Sequence, residues 1–176
     1  MLVRIHKVKY RAREQSDRNG DLRKEETMIS RILVPTDGSE TATKAVKYAA
    51  DLALKVGAEV TLLGVIEKNF YAAQSLPAAA APTHLTEPIE EYIRQAMTEM
   101  LREMEKLCNQ HGIPVKTVIR CGHPVEEILK EAEKSQADLI IIGSHGKSAL
   151  KAAFLGSVTF GIIHKDSKIP VLVVRK

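Results

Sequence analysis

Ala137-Asp138-Leu139-Ile140-Ile141-Ile142-Gly143-Ser144-His145-Gly146-Lys147-Ser148 joins a strongly apolar run to a pair of closely spaced glycines. Ala137 to Ile142 reads as a short strand buried on both sides, the kind found in parallel sheets covered by helices. Glycines directly after such a strand let the backbone approach a ligand. Their N–H groups, with the N-terminus of a following helix, favour an anion. The spacing is not that of a Walker A loop, which has four residues between its glycines where this chain has Ser144 and His145. It is not G-x-G-x-x-G either. Taken alone, G-x-x-G also fits an ordinary tight strand–helix turn.

Outward from that segment the pattern repeats. Ile32-Leu33-Val34, closed by Pro35, reads as a first strand, and Thr36-Asp37-Gly38-Ser39 as turn chemistry. Ala42, Ala45, Val46, Ala49, Leu52, Ala53 and Val56 recur at helical spacing up to Gly57, with Ser39 or Thr41 as the cap. Val60 to Ile66 is a second strand. Ile89, Ile93, Met97, Met100, Leu101, Met104 and Leu107 predict a helix from Pro88 to about His111, its methionines facing the core. Val115 to Ile119 follows as a third strand, Val125, Ile128, Leu129 and Ala132 as a helix, and Val171 to Val174 as a fifth strand. Ser148 to Lys165 has helical character, interrupted at Gly156-Ser157, where one short helix ends and another begins.

Strands alternating with helices predict a single α/β domain with a five-stranded parallel sheet and helices on both faces. Ligands of such sheets bind beyond the carboxyl ends of the strands, where strand order reverses. The two informative loops, after strands one and four, must meet at that point, which predicts the order 3-2-1-4-5. Asn69 to Pro88, with Ala78 to Ala81 between Pro77 and Pro82, is long for a connection. It reads as a disordered insertion or as a flap over a site.

The composition is that of a globular domain: 44% apolar and 27% charged residues. With no Trp and 4% aromatics, the chain lacks stacking platforms for single-stranded nucleic acid. No apolar run approaches the ~20 residues that span a bilayer. The net charge of +4 is concentrated in residues 1–27, where eight Lys/Arg face five Asp/Glu; residues 28–176 contribute only +1. A general basic surface for nucleic acid is therefore not expected of the body of the protein, and neither nucleic acid nor membrane is expected as a partner. Residues 1–27 read as a disordered basic extension or as sequence upstream of a start at Met28, with a transit segment as the alternative. Cys108 and Cys121 have neither C-x-x-C nor zinc spacing, which fits a reducing, cytoplasmic location.

Gly143-x2-Gly146-x9-Gly156-Ser157 is a three-part pattern. It resembles the nucleotide-binding signature G-x2-G-x9-G-[ST] of the universal stress protein family. Ile32-Leu33-Val34-Pro35-Thr36-Asp37-Gly38-Ser39-Glu40 resembles that family's first strand and loop, Leu62-Leu63-Gly64-Val65-Ile66 its second strand, and Ile169-Pro170-Val171-Leu172-Val173-Val174 its last. The resemblance covers about Ser30 to Arg175. It implies the adenine nucleotide alpha hydrolase-like fold, a nucleotide-binding domain over 28–176, and the branch of the family that binds ATP with Mg²⁺ or Mn²⁺.

The binding set implied by the resemblance is Pro35, Thr36, Asp37, Val65, Ile142, Gly143, Ser144, Gly146, Lys147, Gly156, Ser157, Val158 and Thr159. Pro35, Thr36 and Asp37 would border the ribose and phosphates, Asp37 helping to hold the metal. Val65 would meet the adenine edge through its backbone, and Gly156 to Thr159 would hold the outer phosphates. A regulatory role with slow or no hydrolysis is implied, as is a homodimer paired through the last strand. Lys147 reads as a phosphate partner or as solvated, and His145 as a phosphate contact or solvent-facing. Gly161, inside the last helix, departs from the family pattern.

Two other functions remain. One is an enzyme, a nucleotide hydrolase or adenylyl transferase of the same α/β class. Against it, the first loop lacks the S-G-G-x-D-S pattern of such enzymes, and no catalytic set is evident. The other is a purely interacting protein without a ligand, against which the retained glycines count.

Overall fold

In the computed structural model, which describes residues 29–67, 86–110, 112–147, 155–165 and 168–175, Arg31–Pro35 forms β1 at the centre of the sheet. Its neighbours are β2 (Glu59–Ile66) and β4 (Leu139–Gly143). The edges are β3 (Val115–Cys121) and β5 (Val171–Val174). All four pairings are parallel, as the alternation of elements predicts, and the order β3-β2-β1-β4-β5 is the one expected from the meeting of the loops after strands one and four. The two central ladders bring the ends of β1 and β4 side by side, so their loops meet.

The strands are apolar at consecutive positions because both faces are covered. Ile32, Val34, Val60, Leu62 and Ile141 pack against α1 (Glu40–Val56) and α2 (Thr86–Asn109). Leu33, Leu63, Ile140 and Ile142 pack against α3 (Pro124–Lys134) and α4 (Ser157–His164). Period-two alternation divides each strand between two separate cores.

Ser39 caps α1 by accepting from the N–H of Ala42, and Gly57, at φ +71°, ends it in the left-handed conformation. The inner face of α1 is largely alanine, which lets the helix lie close to the sheet. The methionines of α2 pack as the spacing predicts: Met97, Met100 and Met104 lie against the first core. Cys108, in the same core, has its thiol pushed up to about 11 by burial, with the charge of Glu105 adding to the effect.

Some boundaries move. α2 begins at Thr86 and ends at Asn109, and β3 continues to Cys121. The helical character read across Ser148–Lys165 is realised at α4, after the break at Gly156; residues 148–154 lie outside the described residues. So do residues 1–28 and the connection at 68–85. Gly161 has a packing reason. A Cβ there would stand 2.7 Å from Val125 Cγ2, so the glycine lets α4 close onto α3. No described helix is long and apolar enough to cross a membrane.

Candidate nucleotide site

A cleft of about 400 Å³ opens at the carboxyl ends of β1, β2 and β4. Leu63 and Val65 from β2, Ile142 from β4, and Pro124 and Ile128 from α3 give it an apolar wall. Polar groups come from Thr36 and Asp37 after β1, from His145 and Gly146 after β4, and from Gly156 to Thr159 at the start of α4. An apolar slot beside a few convergent polar groups is the usual constitution of a small-molecule site.

The loop after β4 is tied down on every side. Thr159 Oγ1 donates to the carbonyl of Gly143 at 2.8 Å. The N–H of Ser144 donates to Val174 O at 2.7 Å, and the carbonyl of Ser144 accepts from Gly156 N at 2.8 Å. The carbonyl of His145 accepts from the hydroxyls of Ser39 and Thr41. The N–H of Lys147 donates to Asp37 Oδ2 at 2.8 Å. Three segments distant in sequence, 37–41, 156–159 and Val174, thus hold one turn.

The glycines follow from this crowding. A Cβ on Gly143 would stand 2.8 Å from Thr41 C and Ala42 N, one on Gly146 2.6 Å from Asp37 Oδ2, and one on Gly156 3.3 Å from His145 Cα. The sequence reading takes these glycines as room for a ligand. In the structure the missing Cβ atoms also make room for neighbouring protein.

The start of α4 is arranged differently. Gly156, at φ −70° and ψ 156°, is its N-cap and contributes no side-chain bond. The first-turn N–H groups have no acceptor inside the helix, and the positive end of the helix dipole lies there. Ser157, Val158 and Thr159 all line the cleft. Such an end suits an anionic group.

Asp37 has a structural task as well. Its Oδ1 accepts from Ser39 N at 3.0 Å, and its Oδ2 holds Lys147 N. Each oxygen keeps a further lone pair, so a cation is compatible with this carboxylate. Among the described residues no group of three or more His, Cys, Asp or Glu side chains could hold a metal. The donor set therefore fits a cation that arrives on phosphate oxygens and keeps most of its waters, as Mg²⁺ prefers. It does not fit a resident metal centre.

Of the residues implied by the sequence, Pro35, Thr36, Asp37, Val65, Ile142, Gly143, Gly146, Gly156, Ser157, Val158 and Thr159 line the cleft. Ser144 and Lys147 do not. Ser144 is 1% exposed, with its hydroxyl 2.9 Å from His145 Nδ1. Ala42, Leu63, Glu67, Pro124, Ile128 and Leu155 line the cleft without having been singled out. For two of them the signal was present: Leu63 and Glu67 lie two residues either side of Val65 and share its period-two face.

The universal stress protein family model matches residues 28–175. Universal stress protein MJ0531 of Methanocaldococcus jannaschii is 35% identical over 158 residues, covering 90% of this chain and 89% of its own. MJ0577 of the same organism is 38% identical over 157 residues, covering 85% and 96%. The solved structure of MJ0577 superposes with a TM-score of 0.74 at 36% identity, over 85% of this chain and 98% of its own. A universal stress protein solved in complex with cAMP, 24% identical, gives a TM-score of 0.60 over 85% and 98%, a likeness of fold. With a cleft at the switch point of a 3-2-1-4-5 sheet and relatives of this similarity over nearly their whole length, the chain belongs to the universal stress protein family.

Proposed function

We propose that this protein is an ATP-binding regulatory member of its family, taking ATP with Mg²⁺ or Mn²⁺ in the cleft between β1, β2, β4 and α4. The observation that carries this reading is the start of α4, where a cap without a side-chain bond and the first-turn residues Ser157 to Thr159 line the same cleft as Asp37. The base lies against Leu63, Val65 and Ile142, and the phosphates run toward Gly156 to Thr159. The cation bound with the nucleotide supplies charge neutralisation beside Asp37. The role of the protein's own residues is to bind, orient and partly desolvate the nucleotide.

The nucleotide-binding unit comprises residues 28–176, with 1–27 as an extension. Its two cysteines are free thiols, which accords with a reducing compartment, the cytoplasm. β5 is a sheet edge whose four residues are all only half-buried, and Phe160 and Ile163 on α4 are 57% and 51% exposed. An apolar edge of this kind is a pairing template. A second copy related by a two-fold axis would cover it with the same strand, giving a closed dimer.

The test is mass spectrometry of small molecules released from the denatured protein, followed by titration calorimetry with ATP and Mg²⁺. Saturable one-to-one binding of ATP is expected. No binding at millimolar ATP would overturn the reading. Light scattering at tens of micromolar tests the dimer, and a strict monomer would overturn it.

A further inference from the structure

Thr41 contributes to the site without lining it. It lies in the first turn of α1 and is 3% exposed. The cap of that helix is already supplied by Ser39, so the hydroxyl of Thr41 is not needed by its own helix. It turns instead to a residue 104 positions away. Thr41 Oγ1 donates to the carbonyl of His145 and also accepts from the N–H of His145 at 3.4 Å. One hydroxyl thus holds both peptide groups of the residue midway between Gly143 and Lys147. The same oxygen would lie 2.8 Å from a Cβ on Gly143, so that glycine is what admits it.

We propose that Thr41 is a positioning residue for the nucleotide site, its hydroxyl setting the orientation of the His145 peptides. Two contacts depend on that orientation. Gly146 and Lys147 are brought onto the carboxylate of Asp37, where the N–H of Lys147 bonds at 2.8 Å. Gly156, the cap of α4, is seated against the backbone of Ser144 and His145, with its N–H on Ser144 O at 2.8 Å. The turn after β4 and the start of α4 therefore inherit their placement from α1. The effect on binding rests on a nucleotide occupying the cleft, whereas the clamp itself is independent of that.

The discriminating variants are Thr41→Val, which keeps the shape and loses the hydroxyl, and Thr41→Ser, which keeps the hydroxyl. Thr41→Ala serves as a second hydroxyl-free variant should valine perturb α1. Calorimetry with ATP and Mg²⁺ is paired with amide exchange on the nucleotide-free proteins. Loss of the hydroxyl is expected to weaken ATP about tenfold, with Thr41→Ser within about threefold of the parent. The amide of Lys147, bonded to Asp37 rather than to Thr41, should exchange faster in both hydroxyl-free variants and at the parent rate in Thr41→Ser. Parent affinity in Thr41→Val or Thr41→Ala overturns the proposal, as does an unchanged Lys147 amide. If the parent binds no ATP, the ligand reading fails and the exchange result alone decides the clamp.

Discussion

The turn at Gly143–Lys147 and the start of α4 at Gly156–Thr159 belong to one spacing pattern, yet they use their backbones in opposite ways. In the turn, six backbone groups from the carbonyl of Gly143 to the N–H of Lys147 are bonded to other segments of the protein. At α4 the first-turn N–H groups follow a cap that offers no side-chain bond. The first region spends most of its backbone groups on other parts of the protein, and the second keeps first-turn N–H groups that its own helix does not use. A spacing pattern records both because each needs glycine for close packing against protein, Gly143 against α1 and Gly156 against the turn at Ser144 and His145.

The contrast between the two regions hangs most heavily on Gly143. A valine there would press against the main chain of Thr41 and Ala42, which cannot yield as a flexible side chain would. Gly143→Val should cost about 3 kcal/mol, lowering the melting temperature of nucleotide-free protein by roughly 6–12 °C. Calorimetry without nucleotide measures this. A parent-like melt with lost ATP binding would show that the glycine serves the ligand alone.

Ser157→Pro probes the other region. Proline is tolerated at the first helical position, and the extended dihedrals of Gly156 suit the residue before it. The change removes one N–H and one hydroxyl from the cleft. ATP affinity is expected to fall about tenfold, with the melting temperature within a few degrees of the parent. A large drop in stability with intact affinity would reverse the assignment of the two regions.

Gly161→Ala tests whether the placement of α4 depends on α3. Alanine gains about 1 kcal/mol of helix propensity. Its Cβ meets the short, stiff side chain of Val125 at 2.7 Å, and overpacking of this kind costs ~1–3 kcal/mol. A net loss of about 1 kcal/mol is expected, relieved when combined with Val125→Ala in a double-mutant cycle. Strict additivity in that cycle would place the strain elsewhere.

The smallest effect belongs to Ser144→Ala. The side chain is buried outside the cleft and bonds only within the turn among the contacts described. About 1 kcal/mol of stability should be lost, with ATP affinity within about twofold. A tenfold loss of affinity would return Ser144 to the binding surface.

Much of this was legible beforehand. Short apolar runs at 32–34, 60–66 and 137–142, alternating with stretches of helical periodicity, point to a parallel sheet covered on both faces, whose strands are apolar at consecutive positions. The meeting of the loops after β1 and β4 then follows from strand order. Gly57 as a helix stop and Gly156 as a helix start were legible from backbone preference alone. The adjacency of Gly161 to Val125 was not, because local propensity counts an interior glycine only as a weakness. Nor were Pro124 and Ile128 as cleft residues, since nothing in their neighbourhood announces which cavity α3 will border.

By itself, the sequence determined the element order, the two-faced core and the glycine spacing, since those depend on side-chain periodicity and on φ/ψ preferences that each residue carries alone. Only the tertiary structure decided how the pattern is divided between scaffold and cleft. The hydroxyl of Thr41 on the peptides of His145, the carboxylate of Asp37 on Lys147 and the close pass of α1 over Gly143 join residues about a hundred positions apart. Such contacts leave no local trace, because a side-chain hydroxyl or carboxylate is satisfied by whichever segment the fold brings within reach.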